Sequence, residues 1–205
     1  MLKIYLARHG QDHDNVKGIL NGRRDKPLTG LGKVQAQKLG EMIKNKSIKF
    51  DKVYCSPLKR AHNTAKIVSK ILNLGKPEVM DELIERDFGI MTGKSHSEIE
   101  KYCAPNIIKT EKLTYFLSPD GAETFPDLII RGNIVLDKIK KSHKNGNILL
   151  VSHGDIGKMI YTTYYGLNWT EFLPKFHFGN SDLLLMSEDT LPTEAQIITV
   201  EQKNL

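Results

Sequence analysis

The sequence predicts an α/β fold, a three-layer sandwich with a mainly parallel central sheet. Two observations carry this expectation. Three short apolar runs, Leu2–Ala7, Lys52–Cys55 and Asn147–Ser152, are rich in Ile, Val, Leu or Tyr, and each gives way to polar residues and then a helical pattern. Strand-like and helix-like segments also alternate along the chain, the order required by a sheet covered with helices on both faces.

The elements follow in order. After the first strand comes a loop rich in Gly, Asn and Asp. Leu31, Val34, Leu39, Met42 and Ile43 then repeat with helical period, and Thr29 stands where a helix N-cap belongs. Leu58, Ala61, Ala65, Val68 and Leu72 form a second helical stripe behind Lys52–Cys55. Phe125, Leu128, Ile129, Val135, Leu136 and Ile139 mark a third helix, with Gly146 as its expected stop. A fourth helix is expected from about Asp155 to Tyr165. Two late β-like runs, Asp182–Ser187 and Gln196–Val200, flank a turn containing Pro192. The rhythm breaks between about 91 and 121, where Tyr102, Pro105, Tyr115, Phe116 and Pro119 occur. This stretch reads as a cap-like insertion over one end of the sheet, within a single domain spanning 1–205.

Composition narrows the function classes. The 205 residues are 40% hydrophobic and 26% charged. That length and balance suit one compact globular domain. The longest apolar runs fall far short of the roughly 20 residues needed to cross a bilayer. The N-terminus lacks the long apolar core of a signal peptide, so a cytoplasmic location and no membrane partner are expected. Cys55 and Cys103 are too few for a disulfide framework, and neither has a zinc-like neighbour. No metal site and no cofactor are expected. Net charge is +6, but the basic clusters are small and lack interleaved aromatics. This argues against nucleic acid and is compatible with a small anionic substrate.

The chemistry lies after the strands. Arg8-His9-Gly10 follows the first, Ser56-Pro57-Leu58-Lys59-Arg60 the second, and Ser152-His153-Gly154 the third. Ligands of open α/β sheets bind beyond the carboxyl ends of the strands. Parallel neighbours would therefore gather two histidines and two arginines in one crevice. A neutral imidazole at His9 can attack phosphorus and hold the phosphoryl group. Arg8 and Arg60 supply planar forks for phosphate oxygens, and His153, if protonated, adds a donor. Gly10 and Gly154 would allow close backbone approach where a Cβ would clash. Glu85 can give a proton to the leaving oxygen. Phosphoryl transfer depends mainly on positioning and charge neutralisation, which fixed cations supply. Taken singly, a histidine after a strand is ordinarily a loop or core residue; joint placement at three strand ends gives these residues weight.

The same residues resemble the histidine phosphatase, or phosphoglycerate mutase-like, superfamily. Leu6-Ala7-Arg8-His9-Gly10-Gln11 is similar to its Arg-His-Gly signature. Asn21-Gly22 resembles its Gln-Gly loop, Ser56–Ala61 its second arginine motif, and Glu85 with Phe88-Gly89 its proton-donor motif. Gly121, Glu123, Thr124 and Asp127 resemble its Gly-Glu-Ser block, and Val151–Gly154 its second histidine motif. The likeness runs in order from about Leu2 to Gly157. It implies a phosphorylated nucleophile at His9, an acid and base at Glu85, and a phosphate pocket of Arg8, Arg60 and His153. Asn15, Gly22 and Gly154 would be its substrate-binding residues. Departures occur at Gln11, Asp12 and Ala122, where relatives often carry Glu, Thr and Gly. An Asp at 12 would add negative charge near an anion unless it points away.

Three activities fit. The first is a metal-independent phosphomonoester hydrolase acting through phosphohistidine on a small phosphorylated metabolite. The second is a bisphosphoglycerate-dependent phosphoglycerate mutase. The third is a non-catalytic relative that binds phosphate ligands or a protein partner. Family mutases carry paired arginines in the insertion; residues 91–121 here hold Lys94, Lys101, Lys109 and Lys112 but no arginine, which favours hydrolysis.

Overall fold

The computed structural model describes residues 1–110 and 113–201. The chain opens with β1 (Leu2–Arg8), a one-turn helix α1 (His13–Val16) and α2 (Gly30–Asn45). Next come β2 (Lys52–Cys55), α3 (Lys59–Ile71) and the two-residue strand β3 (Glu78–Val79). The 91–121 stretch contains α4 (Ile99–Cys103) and an antiparallel pair, β4 (Ile107–Lys109) and β5 (Thr114–Phe116). The remainder is α5 (Phe125–Ser142), β6 (Gly146–Ser152), α6 (Gly154–Tyr165), α7 (Trp169–Phe172), β7 (Leu183–Met186) and β8 (Gln196–Ile198).

The main sheet runs β3-β2-β6-β1-β7-β8. Its β1–β6, β2–β6 and β2–β3 pairings are parallel; β7 and β8 extend it antiparallel. The three strands named from the sequence are thus adjacent and co-directional, in the order β2-β6-β1. In register, Arg8 lies beside Ser152 and Cys55 beside Val151. The chain leaves all three strands at one edge.

Alternation along each strand sorts the core into two faces. Ile4, Leu6, Ile148 and Leu150 pack with Leu128, Val135, Leu136, Ile139, Met159 and Ile160 of α5 and α6. Tyr5, Ala7, Leu149 and Val151 pack with Leu39, Ile43, Ala61, Ala65 and Val68 of α2 and α3. Thr29 caps α2 through Gly32 N–H, at the position the sequence indicates. Thr124 and Asp127 form a reciprocal capping box at the start of α5. Trp169 stacks on Phe125, and Tyr161 on Phe172 and Phe176, so these aromatics are packing residues. Cys55 is buried packing as well, and burial pushes its thiol up to about 11.

One boundary is corrected. Gly146 does not end α5, whose C-cap is His143; it opens β6 with φ of 94°. A Cβ there would fall 2.4 Å from an Asp51 carboxylate oxygen, so the glycine serves the strand entry and not the helix exit.

Met91, Ile99, Cys103 and Phe116 of the 91–121 stretch form a small core together with Leu20 and Phe88. Arg86 is buried and ties it down. Its Nε donates to Glu123 O, its Nη2 donates to Phe116 O and Leu117 O, and its guanidinium lies 4.5 Å from the Phe116 ring centre. Among the described residues, no helix is long and apolar enough to cross a membrane.

Candidate active site

The strand ends bring His9, Arg60 and His153 into direct contact. The two imidazole centres are 5.1 Å apart. Arg60 Nε lies between them and donates to His9 Nε2 and His153 Nδ1, both at 3.2 Å. All three residues are at most 2% exposed, so the bonds form out of bulk water, where they are strongest.

The hydrogen bonds fix the tautomers. His9 Nδ1 faces Gly10 O at 2.7 Å. A carbonyl only accepts, so the proton sits on Nδ1 and Nε2 keeps its lone pair. Burial first, then the charges of Arg60 and Arg8, hold the His9 pKa well below its ordinary 6.5. His153 shows the reverse arrangement. Its Nδ1 accepts from Arg60, so Nε2–H donates to Ser56 Oγ at 2.7 Å. Burial, Arg60 and His9 depress its pKa well below 6.5 too. Burial, and then the neighbouring Arg60 charge, therefore favour the neutral form of His153, so the donor that a protonated ring would add needs a compensating negative charge nearby.

The backbone positions His9 firmly. Its N–H donates to Ser152 O, and its carbonyl accepts from Asn180 Nδ2 and Ser181 N–H. Gly10 N–H donates to Thr64 Oγ1. Asn180 and Thr64 were not identified from sequence as site residues. Asn180 sits before β7, where no motif marked it. Thr64 lies one helical turn after Arg60 and accompanies that motif.

Arg60 is held by its far end, Nη1 donating to Arg24 O and Nη2 to Gly22 O, each at 2.7 Å. Gly22 accordingly acts on the site through its carbonyl and Arg60. Asp12 resolves the charge question raised by the sequence. It is fully buried at the α1 N-cap, accepts from Asn21 Nδ2 at 2.6 Å, and stands 3.4 Å from Arg60 Nε. It offsets the arginine and does not line the cleft. Gln11 accepts from Thr29 Oγ1 and fastens this loop to α2.

Arg8 and Glu85 face the open side. Arg8 Nη1 donates to Phe178 O at 2.6 Å, whereas its buried Nε has no hydrogen-bond partner among the described residues. A buried guanidinium N–H without a partner is costly unless an anion supplies one. Glu85 sits on the N-terminus of α6. Oε2 accepts from Gly154 and Asp155 N–H, and Oε1 from Arg86 and Ile156 N–H. Burial, then Asp155, raises its pKa above the ordinary 4.5. The glycine expectation holds for Gly10, whose added Cβ would fall 2.3 Å from Gly32 O. Around Gly154 the protein itself leaves room. A Cβ there would meet Arg8 and Glu85 only at 3.8 Å, an ordinary contact, so no backbone clash demands glycine.

A cleft of about 810 Å³ reaches this site at Arg8, Glu85 and Gly154, whereas His9, Arg60 and His153 are not part of its lining. Arg8, Asn15, Glu85 and Gly154 line its floor, and His96, Thr110 and Tyr115 of the insertion line its wall. Asn15 Oδ1 accepts from Asp12 N–H and Asn180 Nδ2. Lys158 and His177 also line the cleft, and neither was assigned there from sequence. Among the described residues, no group of three or more His, Cys, Asp or Glu side chains could hold a metal ion.

Fold and site together define an α/β sandwich with histidines and arginines gathered at the carboxyl ends of parallel strands. The chain belongs to the histidine phosphatase superfamily (branch 1), whose family model matches residues 4–190. A broad-specificity phosphatase of Saccharomyces cerevisiae is 32% identical over 178 residues, covering 84% of this chain and 71% of the yeast protein. A 2,3-bisphosphoglycerate-dependent phosphoglycerate mutase of Methylobacterium sp. is 29% identical over 177 residues, covering 83% and 84%. The phosphoserine phosphatase of Entamoeba histolytica, solved with 3-phosphoglyceric acid, superposes with a TM-score of 0.73 at 26% identity, covering 90% of each chain.

Proposed function

We propose that this protein is a phosphomonoester hydrolase that acts on a small phosphorylated metabolite through a phosphohistidine at His9. The carrying observation is the protonation state of His9: Nδ1–H is fixed on Gly10 O, and the unprotonated Nε2 stands beside Arg60. Nε2 attacks phosphorus and the ester P–O bond breaks. Glu85 gives its proton to the leaving alkoxide. Water then attacks the phosphohistidine while Glu85 takes a proton back, releasing inorganic phosphate and neutral His9. Arg8 and Arg60 offset the phosphate charge, and His153 joins them once the dianion restores its proton. The arginines supply this charge without a metal ion.

Support for hydrolysis over mutase action comes from the insertion. Lys94 lies on the Tyr102 ring at 4.1 Å, and Lys101 lies on the same ring. Lys109 pairs with Glu100. Lys112 lies outside the described residues. Lys94, Lys101 and Lys109 are absent from the lining of the main cleft, so they do not replace the paired arginines that family mutases use.

Brief mixing with ³²P-labelled monoester should trap acid-labile, base-stable label on His9. His9→Ala should lose nearly all turnover, and chelation with EDTA should leave turnover intact. Near-normal activity of His9→Ala, or loss with EDTA restored by magnesium, would reject this mechanism.

A further inference from the structure

Lys158 is a buried cation that the proposed mechanism does not use. It lies on α6, one turn beyond Gly154, is 3% exposed, and lines the main cleft. Among the described residues its ammonium has one hydrogen-bond partner, Tyr115 Oη at 2.6 Å, and no carboxylate lies within ion-pair distance. Asp155, the nearest opposite charge along the helix, is engaged with Arg86 at 3.5 Å. Burial lowers the Lys158 pKa from 10.5 to about 8, with Arg8 acting in the same direction and Asp155 and Glu85 opposing. The ammonium form still dominates at neutral pH. A buried ammonium satisfied by one phenol is a costly arrangement, and an anion reaching it relieves that cost.

The position gives this charge a role. Tyr115 lines the main cleft and also a second cavity of about 820 Å³, walled by Leu173, Pro174 and Phe176 with Lys109 and Lys175, neither of which lines the main cleft as Lys158 does. The Lys158–Tyr115 pair thus stands where the catalytic cleft opens into further space. A phosphoryl group held at Arg8 would direct its alcohol portion along this cleft.

We infer that Lys158, hydrogen-bonded to Tyr115, is a specificity-determining residue that binds a second anionic group on the alcohol portion of the substrate. The inference rests on the phosphatase reading for its placement of the phosphoryl group. Preferred substrates are then phosphate esters carrying a carboxylate or a second phosphate, not esters of neutral alcohols.

The test compares 3-phosphoglycerate with glycerol 1-phosphate, which differ by a carboxylate in place of a hydroxymethyl group, and adds glycerol 1,3-bisphosphate. The wild-type protein should favour the anionic esters in kcat/KM by about tenfold or more, the size of one charge-assisted hydrogen bond. Lys158→Gln should erase most of that preference through KM, and Lys158→Arg should restore part of it. The carboxylate and bisphosphate arms show which anion the site takes. Calorimetry on the same ligands reads the preference as a Kd ratio without turnover. If nothing is hydrolysed but the Kd ratio depends on Lys158, the subsite stands and the phosphatase reading falls. Equal treatment of charged and neutral esters by the wild-type protein would overturn the subsite, whether or not the variants fold. So would a preference unchanged in folded Lys158→Gln.

Discussion

At the residue scale, two carboxylates two positions apart have opposite surroundings. Glu85 is buried against four backbone N–H groups at the cleft. Asp87 is 38% exposed, pairs with Arg23 and accepts from Gly89 N–H. Of the two, only Glu85 lines the cleft, where burial and then Asp155 push its pKa up. Glu85→Gln should therefore slow esters of aliphatic alcohols at least tenfold more than p-nitrophenyl phosphate, whose phenolate departs without a proton. Equal losses on both esters would remove the donor role. His153 offers a pH test. Its folded pKa lies well below the unfolded 6.5. Above pH 6.5 both states are neutral and the stability contribution is complete. As pH falls below 6.5 the unfolded chain takes up the proton and the folded one resists, so stability is lost on acidification until the folded pKa is passed. His153→Gln should flatten the decline by up to about 1.4 kcal/mol per pH unit. Parallel wild-type and variant denaturation curves from pH 6.5 to 5.5 would contradict a buried neutral imidazole.

At the element scale, the loop after β1 is pressed against the first turn of α2. A Cβ on Gly10 would meet Gly32 O, and one on Gly32 would fall 2.0 Å from Gln11 O. Both obstacles are backbone, which cannot swing aside as a flexible side chain does. Gly10→Ala should cost about 1–3 kcal/mol in urea denaturation, the range for forced overpacking. Gly154→Ala, with its nearest neighbours at 3.8 Å, should change stability much less. A Gly10→Ala protein as stable as wild type would show that the β1 loop shifts freely. Asp12 belongs to this scale as well. It caps α1 and counters Arg60 at once, so a residue that read as an intrusive charge becomes part of the support for the arginine.

At the scale of the whole molecule, the insertion shapes the cleft while Arg86 fastens it to the sandwich. Lys94 and Lys101 lie on the Tyr102 ring, and Lys109 pairs with Glu100 and lines the second cavity; none of the three lines the main cleft. Phosphate release from monoesters should accordingly exceed interconversion of 3- and 2-phosphoglycerate by at least tenfold. An enolase-coupled assay run beside phosphate detection measures both. Rapid mutase turnover stimulated by bisphosphoglycerate, with little free phosphate, would reverse that assignment. The contrast tests the chain where its relatives divide, since both phosphatases and mutases occur among them.

The sequence by itself determined the α/β sandwich, the three parallel strands and the strand-end positions of His9, Arg60 and His153. Strand alternation, helical period and position after a strand are local patterns that survive folding unchanged. Thr29 as a cap was legible for the same reason. Only the tertiary structure decided what depends on approach between distant segments. It placed Arg60 Nε between two imidazoles and thereby fixed their tautomers. It turned Asp12 inward, set Gly10 against the Gly32 carbonyl, and brought Asn180 to the His9 carbonyl. It also buried Lys158 in the cleft. Hydrogen-bond geometry, desolvation and steric clearance arise between residues many positions apart, and one-dimensional spacing carries no measure of them.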